Sequence, residues 1–188
     1  MRILMLGNSY TYYNDLPAKV AELTGAEVVS NALDNAKLED HTDPSTEAGA
    51  KTQKLLEEKW DYVIIQEYSS RPVLFKGSFL VNSMNLSKKM KEKGATPVFF
   101  ETWAYERGSN EMNAFSKDYD EMYYSLYASY HEAANMNQGL IACVGERFYD
   151  LADTEKLYAE DGCHPNEKGT EIAAKEIAAV IMEDNKNR

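Results

Sequence analysis

The chain has 188 residues, of which 44% are hydrophobic and 27% charged, with a formal net charge of -11. That composition excludes a disordered or fibrous protein, and the length suits one domain over residues 1–188. The acidic balance argues against a nucleic-acid backbone or an anionic membrane surface as partner, and two cysteines, Cys143 and Cys163, are too few for a disulfide framework.

The first apolar run, residues 2–6, reads as a strand that begins almost where the chain begins, and a cytoplasmic protein without a leader is the expectation. It stops abruptly in Gly7-Asn8-Ser9. A turn accounts for a glycine or an asparagine but not for the added hydroxyl. A short helix follows at residues 16–23, then a strand at 27–30. A helix over 46–59 turns Ala50, Leu55 and Leu56 inward. The third strand, 62–66, leads to a helix over 78–93 carrying Leu80, Met84 and Leu86. After a fourth strand at 96–101, Phe115, Tyr119, Met122, Leu126 and Tyr130 recur at helical steps within 113–135. The last strand is 140–144. A helix over 167–183 repeats Ile172, Ile177, Val180 and Ile181, and residues 185–188 form a frayed tail. Continuous apolar strands alternating with amphipathic helices predict a parallel sheet covered on both faces. No run is long enough to cross a bilayer.

In such a sheet, ligands bind beyond the carboxyl ends of the strands. That edge collects Ser9 after strand one, Asn35 after strand two, and Gln66 and Glu67 at the end of strand three. It also collects Glu101, Thr102 and Trp103 after strand four, and Asp161 and His164 after strand five. A serine attacks only when a base removes its proton. Of the three histidines, His131 lies off the apolar stripe of its helix and reads as a surface residue. His41 follows the acidic pair Glu39-Asp40. His164 sits in Asp161-Gly162-Cys163-His164-Pro165, where the aspartate can orient the imidazole. Alone, Gly7-Asn8-Ser9 is a turn, and Asp161–Pro165 is a turn before a helix. Together, at opposite ends of the chain, they make a candidate triad of Ser9, Asp161 and His164. Cys163 is discounted as a nucleophile because adjacent residues rarely point at each other. A metal set of Asp161, His164 and His41 lacks zinc spacing, so neither metal nor cofactor is expected.

These end blocks resemble the first and last blocks of the SGNH/GDSL hydrolases. "GNSYTYYNDLP", "LEDH", "WDYVIIQEYSSRP", "ETWA" and "LYAEDGCHP" look most like an uncharacterised bacterial branch, labelled a domain of unknown function. The resemblance implies a three-layer α/β/α, flavodoxin-like fold with a five-stranded parallel sheet, and ester hydrolysis through a serine acyl-enzyme. It implies Ser9 as nucleophile, His164 as base and Asp161 as its partner, with the Ser9 amide in the oxyanion hole. Two blocks depart from the pattern. Asn35 stands where a glycine amide is usual, and asparagine tolerates the left-handed backbone. The Gly-x-Asn-Asp motif is absent, and Gln66 stands at the end of strand three as its substitute donor.

Glu67 is either a substrate contact, a partner of Arg71 or a solvent-facing group. Trp103 is either a pocket wall for a sugar or core packing, and His41 reads as structural. The expected protein is a serine esterase for short acyl esters, with acetylated carbohydrates among its candidate substrates. Its rival is a catalytically weak small-molecule or carbohydrate-binding protein of the same fold. A flavodoxin-type nucleotide binder ranks last, because no phosphate-binding loop follows strand one.

Overall fold

The computed structural model of the protein describes residues 1–187. Strands β1 (Arg2–Gly7), β2 (Glu27–Ala32), β3 (Tyr62–Ile65), β4 (Thr96–Phe100) and β5 (Leu140–Ala142) form one five-stranded sheet in the order β2-β1-β3-β4-β5. Every pairing is parallel, with Ile3 opposite Val28 and Tyr62, Tyr62 opposite Thr96, and Val98 opposite Leu140. The helices are α1 (Ser9–Tyr12), α2 (Leu16–Thr24), α3 (Leu38–Thr42), α4 (Glu47–Leu55), α5 (Arg71–Leu74), α6 (Lys76–Glu92), α7 (Asn110–Ala114), α8 (Tyr119–Met136), α9 (Val144–Leu151) and α10 (Glu167–Lys186).

Side chains alternate across a strand, so each strand feeds two cores. Leu4, Leu6, Val63, Ile65 and Phe99 pack with Leu38 of α3, Phe79, Leu86 and Met90 of α6, and Leu126 and Tyr130 of α8. On the opposite face Ile3, Met5, Tyr62, Ile64, Val98 and Phe100 pack with Leu16 and Val20 of α2 and Ile177 and Ile181 of α10. The result is a three-layer α/β/α sandwich with the flavodoxin-like strand order. All four residues of β3 are buried, which is why it reads as an unbroken apolar run rather than an alternating one. No helix among the described residues is long and apolar enough to cross a membrane.

The structure departs from the sequence pattern at several elements, each for a local reason. The helix expected over 113–135 is two. Phe115 is extended at φ -77° and ψ 146°, and Asp118 and Glu121 form a reciprocal capping box that starts α8 afresh. The helix expected over 46–59 ends at Leu55, whose carbonyl accepts the Trp60 indole N–H at 2.7 Å. Its buried face is Ala48, Gly49 and Thr52, and Ala50 is exposed. Met84 is likewise exposed, and Phe79, Ser83 and Leu86 form the inner face of α6. Val144 opens α9 rather than closing β5. The expected tail continues α10 to Lys186 with Asn187 as its cap, and Arg188 lies outside the described residues.

Candidate active site

The site begins where β1 ends. Asn8 is extended, at φ -121° and ψ -150°, and its side chain accepts the Tyr10 N–H at 3.0 Å, capping α1. Ser9 therefore occupies the first turn of a helix, where backbone N–H groups lack intrahelical partners. Glycine at position 7 is required by close approach. A Cβ there would lie 2.3 Å from both Gln66 Oε1 and Thr11 Oγ1. The elbow sits between β1 and β3, at the point where strand order reverses.

The loop before α10 brings the other half. His164 Nε2 lies 2.9 Å from Ser9 Oγ, and His164 Nδ1 lies 2.6 Å from Asp161 Oδ2. Asp161 Oδ1 accepts the backbone N–H groups of Cys163 and His164, each at 2.9 Å. Burial opposes ionisation of Asp161, but the His164 imidazole and these two amides prevail and hold its carboxyl below the ordinary range. Gly162, at φ 67°, supplies the left-handed turn that lets both amides converge. Serine, imidazole and carboxylate thus stand in one hydrogen-bonded series.

Aromatic rings support this loop. Tyr13 stacks on the His164 ring at 4.5 Å, and Tyr10 meets its edge at 5.6 Å. Tyr10 stacks on Trp103, which stacks on Phe148. Trp103 is fully buried, and its Nε1 donates to the Cys163 carbonyl at 3.0 Å. It is core packing that fixes the histidine loop and not a pocket wall, which corrects its expected substrate role. Asn14, at φ 48°, donates to the Pro165 carbonyl and to Thr170 Oγ1, clasping the start of α10. Tyr13 and Asn14 were not singled out from sequence; the polar Asn14-Asp15 pair before Pro17 was the available turn signal.

The oxyanion region differs from expectation at Gln66. Gln66 Oε1 accepts the Asn8 N–H and the Thr11 hydroxyl, each at 2.9 Å, and Nε2 donates to the Glu67 carbonyl. The fully buried carboxamide therefore braces the elbow, with one of its two N–H donors engaged. Asn35 lies in an exposed turn at φ 55°, and its backbone N–H takes no internal acceptor among the described residues. That turn is tied to the elbow through Leu33 N to Gly7 O at 3.4 Å and Tyr12 Oη to Asp34 at 3.0 Å. Truncating Gln66 to alanine is expected to cost about 1–3 kcal/mol by orphaning a buried donor. Thermal unfolding should show a lower Tm while kcat falls less than about tenfold, if the buried carboxamide acts as a brace rather than as a transition-state donor. A kcat loss of about 10²–10³ at unchanged Tm would instead restore Gln66 as an oxyanion donor.

Glu67 is fully buried and cannot meet substrate or solvent. Its Oε1 accepts the N–H groups of Leu38 and Tyr68 at 3.2 and 2.7 Å, with Arg71 Nε 3.9 Å away. Burial drives its pKa up to about 7, against the opposing pull of those amides. His41 is also buried, with Nε2 on the Gly7 carbonyl at 3.0 Å and Nδ1 on Thr52 Oγ1 at 2.9 Å, so it holds the end of β1 rather than a ligand. The Cys163 thiol lies 2.9 Å from Tyr10 Oη, and burial pushes it up to about 11, far from a thiolate. His131, expected at the surface, is half-buried and stacks on Tyr127 at 3.9 Å.

A serine, an imidazole and a carboxylate in series beyond the carboxyl edge of a flavodoxin-like sheet is the arrangement that a serine hydrolase requires. No protein-family model and no curated protein matches the chain. Among solved structures, a protein from Slackia heliotrinireducens assigned to the SGNH hydrolases is 37% identical, with 96% of this chain and 98% of that one covered and a TM-score of 0.93. The chain belongs to the SGNH hydrolases. A DUF4886 family protein from Bacteroides uniformis is similar in fold at 19% identity, with 97% and 83% of the two chains covered and a TM-score of 0.75. Axe2, an acetylxylan esterase from Geobacillus stearothermophilus, is similar at 16% identity, with 96% and 93% covered and a TM-score of 0.74.

Proposed function

We propose that the protein is a serine esterase hydrolysing short acyl esters. The observation that carries this is the 2.9 Å contact between Ser9 Oγ and His164 Nε2, backed by the 2.6 Å contact of His164 Nδ1 with Asp161. In this reading Asp161 keeps the proton on Nδ1, so Nε2 takes the Ser9 proton as Oγ attacks the ester carbonyl. The imidazolium returns that proton to the departing alcohol, leaving an acyl ester on Ser9. Water then attacks, deprotonated by the same Nε2, and the acid leaves as Oγ recovers its proton. The amides of Ser9 and Asn35 are the donors for the developing oxyanion.

Ser9 is only 6% exposed and is flanked by His164, on which Tyr13 stacks, an arrangement that favours a small acyl group. The acetyl substrate in the name of the Geobacillus esterase agrees with that preference. Acetylated carbohydrates are the substrate class we favour. With p-nitrophenyl esters, kcat/KM is expected to fall by about tenfold or more from acetyl to decanoyl. A rise along that series would overturn the assignment.

One observation favours a second reading. The Gln66 carboxamide is fully buried and gives one of its two N–H donors to the Glu67 carbonyl, so at most one side-chain N–H at the end of β3 is left for the oxyanion. A weakly catalytic carbohydrate-binding protein would tolerate that arrangement. Turnover of p-nitrophenyl acetate no faster than that of a Ser9→Ala protein would establish it.

A further inference from the structure

A second cluster of chemically capable side chains lies under α8, on the other face of the sheet from Trp103. Glu101 extends the β4 ladder by one residue, its N–H bonded to the Ala142 carbonyl at 3.1 Å, and so faces the same core as Phe99. His131 comes from α8, and Cys143 caps the start of α9. One ligand atom from each of Glu101, His131 and Cys143 lies within 4.8 Å of the others. Glu101 is fully buried, yet neither of its carboxylate oxygens has a hydrogen-bond partner, and His131 Nε2 has none either. Buried polar groups are nearly always paired, and a carboxyl group with both oxygens orphaned beside an orphaned imidazole is a marked exception. None of these groups serves the Ser9 site, whose supporting rings Tyr10, Trp103 and Phe148 belong to the opposite core.

We propose that Glu101, His131 and Cys143 hold one divalent cation of the zinc class. A carboxylate oxygen, an imidazole nitrogen and a thiolate sulfur form a borderline-soft donor set, which selects Zn²⁺ over Mg²⁺ or Ca²⁺. Zinc bonds of about 2.0–2.3 Å in a tetrahedron bring ligand atoms roughly 3.3–3.7 Å apart. Closure therefore draws the three together by at most about 1.5 Å, which rotation of the half-buried His131 and Cys143 side chains supplies. Coordination releases the Cys143 thiol proton and any proton on Glu101 to solvent, so that the cation binds a thiolate and a carboxylate. Water completes the fourth position. The ion ties α8, the end of β4 and the start of α9 together.

The test is metal titration of the chelator-stripped protein with Co²⁺ and then Zn²⁺. One Co²⁺ per chain is expected, with tetrahedral d–d bands and thiolate-to-cobalt charge transfer, both lost as Zn²⁺ displaces it. At about a hundredfold Zn²⁺ over Kd, Tm should rise by about 5 °C or more. Cys143→Ser should abolish the charge-transfer band, and Cys163→Ser should leave it unchanged. Glu101→Gln and His131→Asn should each weaken Co²⁺ binding by about tenfold or more. Absence of stoichiometric Co²⁺ binding by the wild-type protein overturns the proposal. So does a band that survives Cys143→Ser or disappears in Cys163→Ser, because the ion would then sit at the Asp161–His164 loop.

Discussion

Ser9→Ala is expected to lower kcat for short acyl esters by about 10⁴-fold or more, with His164→Ala equally damaging and the double variant little worse than either. The non-additivity follows from the geometry. Ser9 Oγ and His164 Nε2 form one 2.9 Å unit, and neither half removes a proton from the other once one is gone. Asp161→Asn should be less complete, since the imidazole remains while its orientation is lost. The Ser9 hydroxyl bonds only His164 among the described residues, so Ser9→Ala should unfold at the wild-type temperature. Steady-state kinetics with p-nitrophenyl acetate, with thermal unfolding as control, measure both. Near wild-type turnover by Ser9→Ala would remove Ser9 as the nucleophile.

The second large effect concerns stability. Burial raises Glu67 from 4.5 to about 7, so between those values the native protein keeps a proton that the unfolded chain has released. Raising the pH through that window therefore favours unfolding. The stability is fully present below about 4.5 and lost by about 7, on the order of 3 kcal/mol. Glu67→Gln removes this dependence, so its Tm should vary less than that of the wild type between pH 5 and pH 8. Glu101 is pushed up to about 8 by burial and by nearby Glu146, and its contribution has the same sign. It is present in both proteins and cancels from the difference. Parallel Tm–pH curves for the two proteins would show that Glu67 titrates normally.

The sheet was legible because β1, β3 and β4 are continuous apolar runs, and only a strand buried on both faces needs that pattern. The break between α7 and α8 was not, because Phe115 keeps helical spacing with Tyr119 while a capping box downstream overrides it. Val144 shows a related ambiguity. A β-branched residue after Leu140–Ala142 reads as more strand, yet with Phe148 four residues on it faces the core from α9. Ser9, Asp161 and His164 could be placed together because the carboxyl-edge rule needs only strand order. Gln66, Glu67 and Trp103 reach the same edge, but their roles depend on partners distant in sequence: Thr11, Leu38 and the Cys163 carbonyl. No spacing rule identifies such partners. The Glu101, His131 and Cys143 cluster was hidden for the same reason, since three separate elements converge on it.

Ser9 and His164 are 155 positions apart, and the clasp from Asn14 to Pro165 and Thr170 spans almost the same distance. A ribosome moving at about 5–20 residues per second needs roughly 8–30 s to cover that interval. Before it ends, β1, β2 and β3 have already been synthesised, yet the base that the proposed mechanism assigns to Ser9 is still missing. On the proposed mechanism, hydrolytic competence therefore arrives only when the segment carrying His164 emerges and docks.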